Sequence, residues 1–422
     1  MTLLKTSIYS SIYTAITFIS GFILIKIVAL KIGPNGIAQL GQYQNTTALL
    51  TLIATFSISA GVTKYIAEYK FDTIKIQQIV TTAITIVTIA SIFTGFCIIV
   101  GSKALSKIAF SNTTFWQVYL LLGCCIFFVA LNIVFSAILN GLNEIKNLTI
   151  INSSGAILGV ILTLTLANLY EVKGVLIAAN ITAIFIFLGH LFVFSKLRKI
   201  SLFPSIKKIN KPILLLLFSY TLMNWVSGAL APLNQLFIRD YIIQNLSLQQ
   251  AGYWQGISRI SDYYLLFIVS VLSIYYLPTF SSIKEKLDLK KELILAYKII
   301  MPIVVFLALS IFLCKKLVIK ILFSKAFEGM DELFLFQLIG DVFKIGSWLL
   351  GYIMIAKAMT KTYIITEILF SVSLILITRF MFNKYGLIGT TYAFALNYLI
   401  YWFVIAVIMN KYFKEDVNPL PK

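Results

Sequence analysis

Stretches of about twenty residues with hardly a charge recur twelve times along this chain, at roughly 6–30, 38–62, 77–101, 116–139, 148–169, 174–195, 212–238, 252–277, 294–314, 333–356, 362–382 and 387–410. A helix needs about 20 apolar residues to cross the hydrocarbon of a bilayer. The pattern predicts an all-α, polytopic membrane protein with twelve transmembrane helices. Of the 422 residues, 59% are hydrophobic and 12% charged, too few charges to clothe a soluble surface of that size. The first stretch begins almost at Met1, lacks a small-residue cleavage site and outruns a signal-peptide core, so it is expected to be retained. Lys and Arg crowd the loops on the side shared by both termini, among them 196–211 and 284–298. By the positive-inside rule both termini are expected in the cytoplasm.

The most polar of those loops, Lys196 to Pro212, nearly bisects the chain. The expected organisation is an N-terminal six-helix lobe over 1–197, a cytoplasmic inter-lobe loop over 198–211 and a C-terminal six-helix lobe over 212–422. A weak internal repeat supports this halving. Sliding the chain on itself without a gap sets Gly36 on Gly252, Gln39 on Gln255, Ser57 on Ser273 and Lys70 on Lys286. With an even number of spans per half, both copies enter the membrane from the same side, as in several secondary transporters. Two bundles around a central polar cavity are expected.

A charge near the bilayer centre costs roughly 2.5–3.5 kcal/mol on insertion scales, so an intramembrane ion pair is by default a functional hypothesis. Two opposite-charge pairs occur, Asp341 with Lys344 in the tenth stretch and Arg259 with Asp262 in the eighth. Helical spacing sets Gln255, Arg259 and Asp262 on one face, and Asp341 and Lys344 on another; both faces are expected inward and at similar depth. Lys26 in the first stretch and Glu367 in the eleventh add to these charges. Gln42 and Asn45 make the second stretch polar, while Asn224 and Asn234 flank Pro232 in the seventh, which is expected to bend. Ser7, Ser10, Ser11, Thr14, Thr17 and Gly21 form a small-residue stripe in the first. Structural roles stand beside these readings. The charge pairs could neutralise each other and fix helix register, the stripe could serve close packing, Lys26 could snorkel to the surface, and Glu367 could reach the interface.

The net charge of +19 invites a nucleic-acid reading, but lysines scattered beside spans suit anionic lipid headgroups and there is no basic folded domain to hold a duplex. Membrane lipids, not nucleic acid, are the expected partners. Cys97, Cys124, Cys125 and Cys314 lie in apolar stretches without the spacing of a zinc site, and His190 is the only histidine. No Gly-x-x-x-x-Gly-Lys-Ser/Thr loop is present, so no cofactor is expected and transport would run on an ion gradient or on the membrane potential, worth about 2.3 kcal/mol per charge per 100 mV. In that scheme Asp262, Asp341 and Glu367 serve coupling or gating. Lys26, Arg259 and Lys344 form a cationic cavity for an anionic cargo, and Gln42, Asn45, Asn224, Asn234 and Gln255 line the path.

The runs Gly252-Tyr-Trp-Gln-Gly-Ile-Ser-Arg-Ile-Ser-Asp-Tyr-Tyr264, Tyr276-Leu-Pro278, Gln337-Leu-Ile-Gly-Asp-Val-Phe-Lys-Ile-Gly346 and Gly351-Tyr-Ile-Met-Ile-Ala-Lys-Ala358, with Gly33-Pro34 and Gly61-Val-Thr-Lys-Tyr65, resemble motifs of the Wzx-type lipid-linked oligosaccharide flippases. The resemblance covers essentially the whole chain. It implies membership of the multidrug/oligosaccharidyl-lipid/polysaccharide exporter superfamily, with twelve helices in two six-helix lobes. Such proteins carry an undecaprenyl-diphosphate-linked oligosaccharide repeat unit from the cytoplasmic to the periplasmic leaflet of the Gram-negative inner membrane by alternating access. An O-antigen or common-antigen polymerase and its chain-length regulator are candidate partners. At Arg259 the family pattern more often has a small polar residue, which leaves an O-antigen unit and common-antigen lipid III both open as cargo. The alternatives are a cation-coupled drug exporter of the same superfamily, which should have acids dominating its cavity, and a membrane-embedded enzyme, which should have a sizeable extramembrane loop or domain.

Overall fold

The computed structural model describes residues 3–197, 202, 210–219 and 221–414, and all but three positions of the expected loop 198–211 lie outside them. The described residues are mainly helical, with no strand among them. The chain divides into two compact units, Met1–Leu236 and Phe237–Lys422.

The first unit contains α1 (Leu3–Lys31), α2 (Pro34–Thr55), α3 (Ser59–Glu68), α4 (Thr73–Val100), α5 (Ser102–Phe110), α6 (Trp116–Gly141), α7 (Ile145–Leu197), α8 (Lys211–Ser219) and the start of α9 (Thr221–Asn245). Pro34 opens α2, where its missing N–H would have no helical partner in any case. Phe56 and Ser57 adopt left-handed backbone between α2 and α3, and the two helices meet at 48°. At about 1.5 Å per residue the 53 residues of α7 are more than twice the thickness of a bilayer core. The element is two helices joined at Glu171, whose φ of 50° and ψ of −129° end the first arm. Gly174 makes the reversal possible, since a Cβ there would stand 1.9 Å from the Leu166 carbonyl oxygen.

The second unit continues α9 and adds α10 (Leu248–Val271), a π-turn at Leu272–Tyr276, α11 (Leu277–Ser282), α12 (Lys286–Leu313), α13 (Lys315–Leu322), a 3₁₀ segment at Lys325–Leu333, α14 (Phe334–Ala356), α15 (Thr360–Tyr385) and α16 (Ile388–Lys414). Ser247 caps α10 by accepting from the Gln250 amide at 3.2 Å. Leu265, Leu272, Phe280, Leu293, Val304, Ile345, Leu349, Ile353 and Ile405 form a core shared by α10, the π-turn, α11, α12, α14 and α16.

Large apolar side chains also cover the outside: Phe96 is 65% exposed, Phe306 68% and Phe403 71%. Surfaces of that kind belong in lipid. Among the described residues, nine elements are long and apolar enough to cross a membrane, or ten with the bent α2–α3 pair taken as one. That count takes α7 as a single element and leaves out α9, which is helical on both sides of Pro232 and carries Asn234, Gln235, Arg239 and Asp240.

Candidate functional site

Along α14, Gln337, Asp341, Lys344 and Trp348 recur at helical spacing and share one stripe. Asp341 is fully buried. Its Oδ2 accepts from the Ser261 hydroxyl at 2.6 Å and from the Tyr264 hydroxyl at 2.9 Å, both on α10. The Gln337 amide donates to Ser261 Oγ at 3.2 Å and to Asp341 Oδ1 at 3.5 Å. A buried carboxyl group is costly unless such donors replace the water it has lost.

Lys344 turns the other way. Its Nζ stands 4.8 Å from the centroid of Trp348, 5.8 Å from Tyr398 and 5.9 Å from Phe394, an environment worth about 0.5–2 kcal/mol to an ammonium. Close approach of α16 to α14 creates this cage. A Cβ on Gly340 would lie 2.3 Å from Phe394 Cδ1, and one on Gly346 would lie 2.7 Å from Trp402 Cε2. Among the described residues no carboxylate oxygen lies within 4.0 Å of Lys344 Nζ, so the two charges of α14 are neighbours on one helix face but not an ion pair. The short Asp341 side chain is held toward α10, and the long Lys344 side chain reaches the rings of α16.

The eighth stretch divides similarly. Gln255 is fully buried, Arg259 is partly buried and Asp262 is exposed, one position round the helix from the Ser261 that meets Asp341. Gln255 accepts a hydrogen bond from Arg239 Nη2, and the Arg239 guanidinium lies 5.6 Å from the centroid of the Trp254 ring. Arg239 is itself fully buried. Hydropathy ends the seventh stretch at 238, so Arg239 reads as a loop residue, yet the helix runs on to Asn245. The continuing Asn234-Gln235-Leu-Phe-Ile-Arg239 pattern was the signal available in the sequence. Glu367, partly buried on α15, accepts from the Tyr401 hydroxyl at 2.6 Å.

In the first unit Gln42 is buried and donates to the Ala109 carbonyl at 2.8 Å, tying α2 to α5. Asn45 donates to Gln235 Oε1 at 3.2 Å. Asn224 is exposed, and Asn234 and Lys26 are partly buried. The side chains of Ser7 and Ser10 lie outside the described part. His190 is fully buried and makes contacts of 3.2 Å with Ser136 and Asn132 and 3.0 Å with the Ile186 carbonyl, a packing role. A cavity of about 790 Å³ opens among α1, α2 and α7, lined by Tyr13, Ser20, Thr47, Thr51, Asn152 and Thr163 among others, with no charged side chain in its wall among the described residues.

Membrane-length helices, a lipid-facing exterior and buried ionisable groups define a multi-pass membrane protein, and its helices follow a known plan. An inward-facing multidrug resistance MATE family transporter of the MOP superfamily superposes with a TM-score of 0.76 over 97% of this chain and 98% of that one, at 15% identity, which shows a common fold. The sequence profile of the family described as polysaccharide biosynthesis protein matches residues 36–332, and the chain belongs to that family. Two curated relatives named Lipid III flippase, from Escherichia coli (strain K12) and Shigella flexneri, are each 26% identical over 95% of this chain and 97% of their own length.

Proposed function

We propose that the chain is a flippase that carries an undecaprenyl-diphosphate-linked oligosaccharide, an O-antigen unit or common-antigen lipid III, from the cytoplasmic to the periplasmic leaflet of the inner membrane. Twelve crossings follow if each arm of α7 is one span, α2 with α3 another and α9 another, giving six-helix lobes at 1–197 and 212–422 joined through 198–211. Both termini then lie in the cytoplasm, and alternating access of the lobes moves the head group while the polyprenyl tail stays in lipid.

The observation that carries this reading is the presence of bases inside apolar helices of one unit, where Asp262 and Asp341 also lie. Arg239, Arg259 and Lys344 sit on α9, α10 and α14, and the first is fully buried. Cations placed in apolar helices suit a diphosphate or an acidic sugar, because the attraction is strong where water is scarce. Arg259 and Lys344, with Lys26 of the first unit, are assigned to the head group. Asp262, Asp341 and Glu367 are assigned to coupling to an ion gradient or the membrane potential, or to gating. Gln42, Asn45, Asn224, Asn234 and Gln255 are assigned to the polar lining, with a polymerase and chain-length regulator receiving the product. The two relatives named Lipid III flippase support the cargo class.

A cation-coupled exporter of small molecules is the second reading; it calls for acids in the cavity, and the described lining of the 790 Å³ cavity carries none. Expression in cells lacking their own lipid III or O-antigen flippase separates the two. Wild type is expected to restore surface polysaccharide; Lys344→Ala and Asp341→Asn, at matched membrane levels, are expected to lower it by tenfold or more. Drug resistance without surface polysaccharide would move the chain to the exporter class.

A further inference from the structure

Two ionisable side chains with no part in the proposed transport path share a small cavity at one end of the unit Phe237–Lys422. The cavity, about 310 Å³, lies between the last turns of α9 and α15 and is lined by Phe237, Asp240, Tyr241, Gln244, Thr378 and Arg379 among others. The Tyr241 hydroxyl donates to Asn383 Oδ1 at 2.7 Å, which brings the two helix ends to the same level. The Arg379 guanidinium lies 5.2 Å from the centroid of the Tyr241 ring and is oriented by it. Asp240 is held by Gln244, whose amide donates to Oδ2 at 2.7 Å.

Opposite charges thus line one cavity, yet among the described residues no contact within 4.0 Å joins Asp240 to Arg379. Thr378 adds a buried hydroxyl that has no hydrogen-bond partner among the described residues. Buried polar atoms are nearly always satisfied, so an orphan beside two separated charges points to a ligand carrying both signs.

Depth identifies its source. Tyr241 and Arg379 stand four and six residues before Asn245 and Tyr385, the helix ends, roughly 6 to 9 Å inside them at about 1.5 Å per residue. On helices of 25 and 26 residues that is close to the boundary between the hydrocarbon, roughly 30 Å thick, and the headgroups. One turn deeper the surface becomes apolar, with Phe237 58% and Leu376 61% exposed. Phe380, 66% exposed, adds apolar surface near this cavity, so charged groups and greasy side chains lie close together, as the headgroup and acyl chains of a phospholipid require.

We propose that this cavity binds a phospholipid of the ethanolamine type. Its primary ammonium meets Asp240, its phosphate meets Arg379 and takes a hydrogen bond from the Thr378 hydroxyl, and its acyl chains lie along Phe237 and Leu376. Choline lipids fit less well because a trimethylammonium has no N–H to donate, and glycerol lipids leave Asp240 without a cation. The test is native mass spectrometry of the full-length protein released from mixed micelles containing equal amounts of phosphatidylethanolamine, phosphatidylcholine and phosphatidylglycerol. Ethanolamine-lipid adducts are expected to exceed the other two by about tenfold, the discrimination of one charge-assisted hydrogen bond. Asp240→Asn is expected to remove the preference over phosphatidylglycerol, and Arg379→Gln to weaken retention of all three lipids. Equal retention of the three by wild type, or a preference unchanged in both variants, would overturn the proposal. Glycerophosphoethanolamine at the same concentration is expected to leave no adduct; occupancy equal to that of the phospholipid would overturn the lipid as its source.

Discussion

Asp341 and Lys344 stand three residues apart on one helix, and each is satisfied by different neighbours: hydroxyls of α10 for the acid, Trp348 of α14 with two rings of α16 for the base. Removing one donor from a buried acid leaves part of its desolvation uncompensated, at about 1–3 kcal/mol. Tyr264→Phe is therefore expected to lower the thermal midpoint in detergent while the protein still inserts; an unchanged midpoint would show that the hydroxyl contributes nothing to Asp341. Both charges were legible in the sequence because a charge in an apolar run stands out by itself. Ser261, Tyr264, Trp348, Phe394 and Tyr398 were not, because hydroxyl and aromatic residues are ordinary in membrane helices and only contact gives them a role. Arg239 escaped for a different reason: polar side chains near the end of α9 lower its hydropathy before the helix itself stops.

At the scale of elements, glycine decides how near two helices come. Gly340→Leu would drive a side chain into Phe394, only 2.3 Å from where Cβ would sit. Overpacking costs about 1–3 kcal/mol and shifts the backbone, so α16 is expected to move away from α14 and open the cage around Lys344. Reduced thermal stability together with loss of surface polysaccharide is the expected pair of results; full transport by the Leu variant would separate the cage from the transport step. At Gly174 the clash is with backbone, 1.9 Å from the Leu166 carbonyl oxygen, which cannot rotate aside. Gly174→Val is expected to reduce the amount of protein recovered from the membrane far more than Gly351→Val, since nothing lies within 4 Å of a Cβ at Gly351.

For the whole molecule, the decisive question is how often the chain crosses. If the arms of α7 are separate spans, Asn143 and Glu171 lie on opposite sides of the membrane. With the four native cysteines replaced, Asn143→Cys is expected to resist an impermeant thiol reagent in intact cells whose outer membrane admits it, and Glu171→Cys to react. Labelling of both from one side would remove two crossings from the proposed topology. The residue pattern argues for the reversal: Asn168, Tyr170, Glu171 and Lys173 interrupt two apolar runs, and Gly174 follows at once.

The sequence by itself determined that this chain is helical and lives in a membrane, and that charges stand inside its apolar stretches. Hydropathy is summed along the chain and needs no knowledge of neighbours. Tertiary structure alone decided that Asp341 and Lys344 face different partners, that Arg239 rather than Asp262 is fully buried, and that Asp240 and Arg379 line one cavity. Those outcomes depend on the distance between helices, set by single glycines and by where each helix ends, and hydropathy has no term for either.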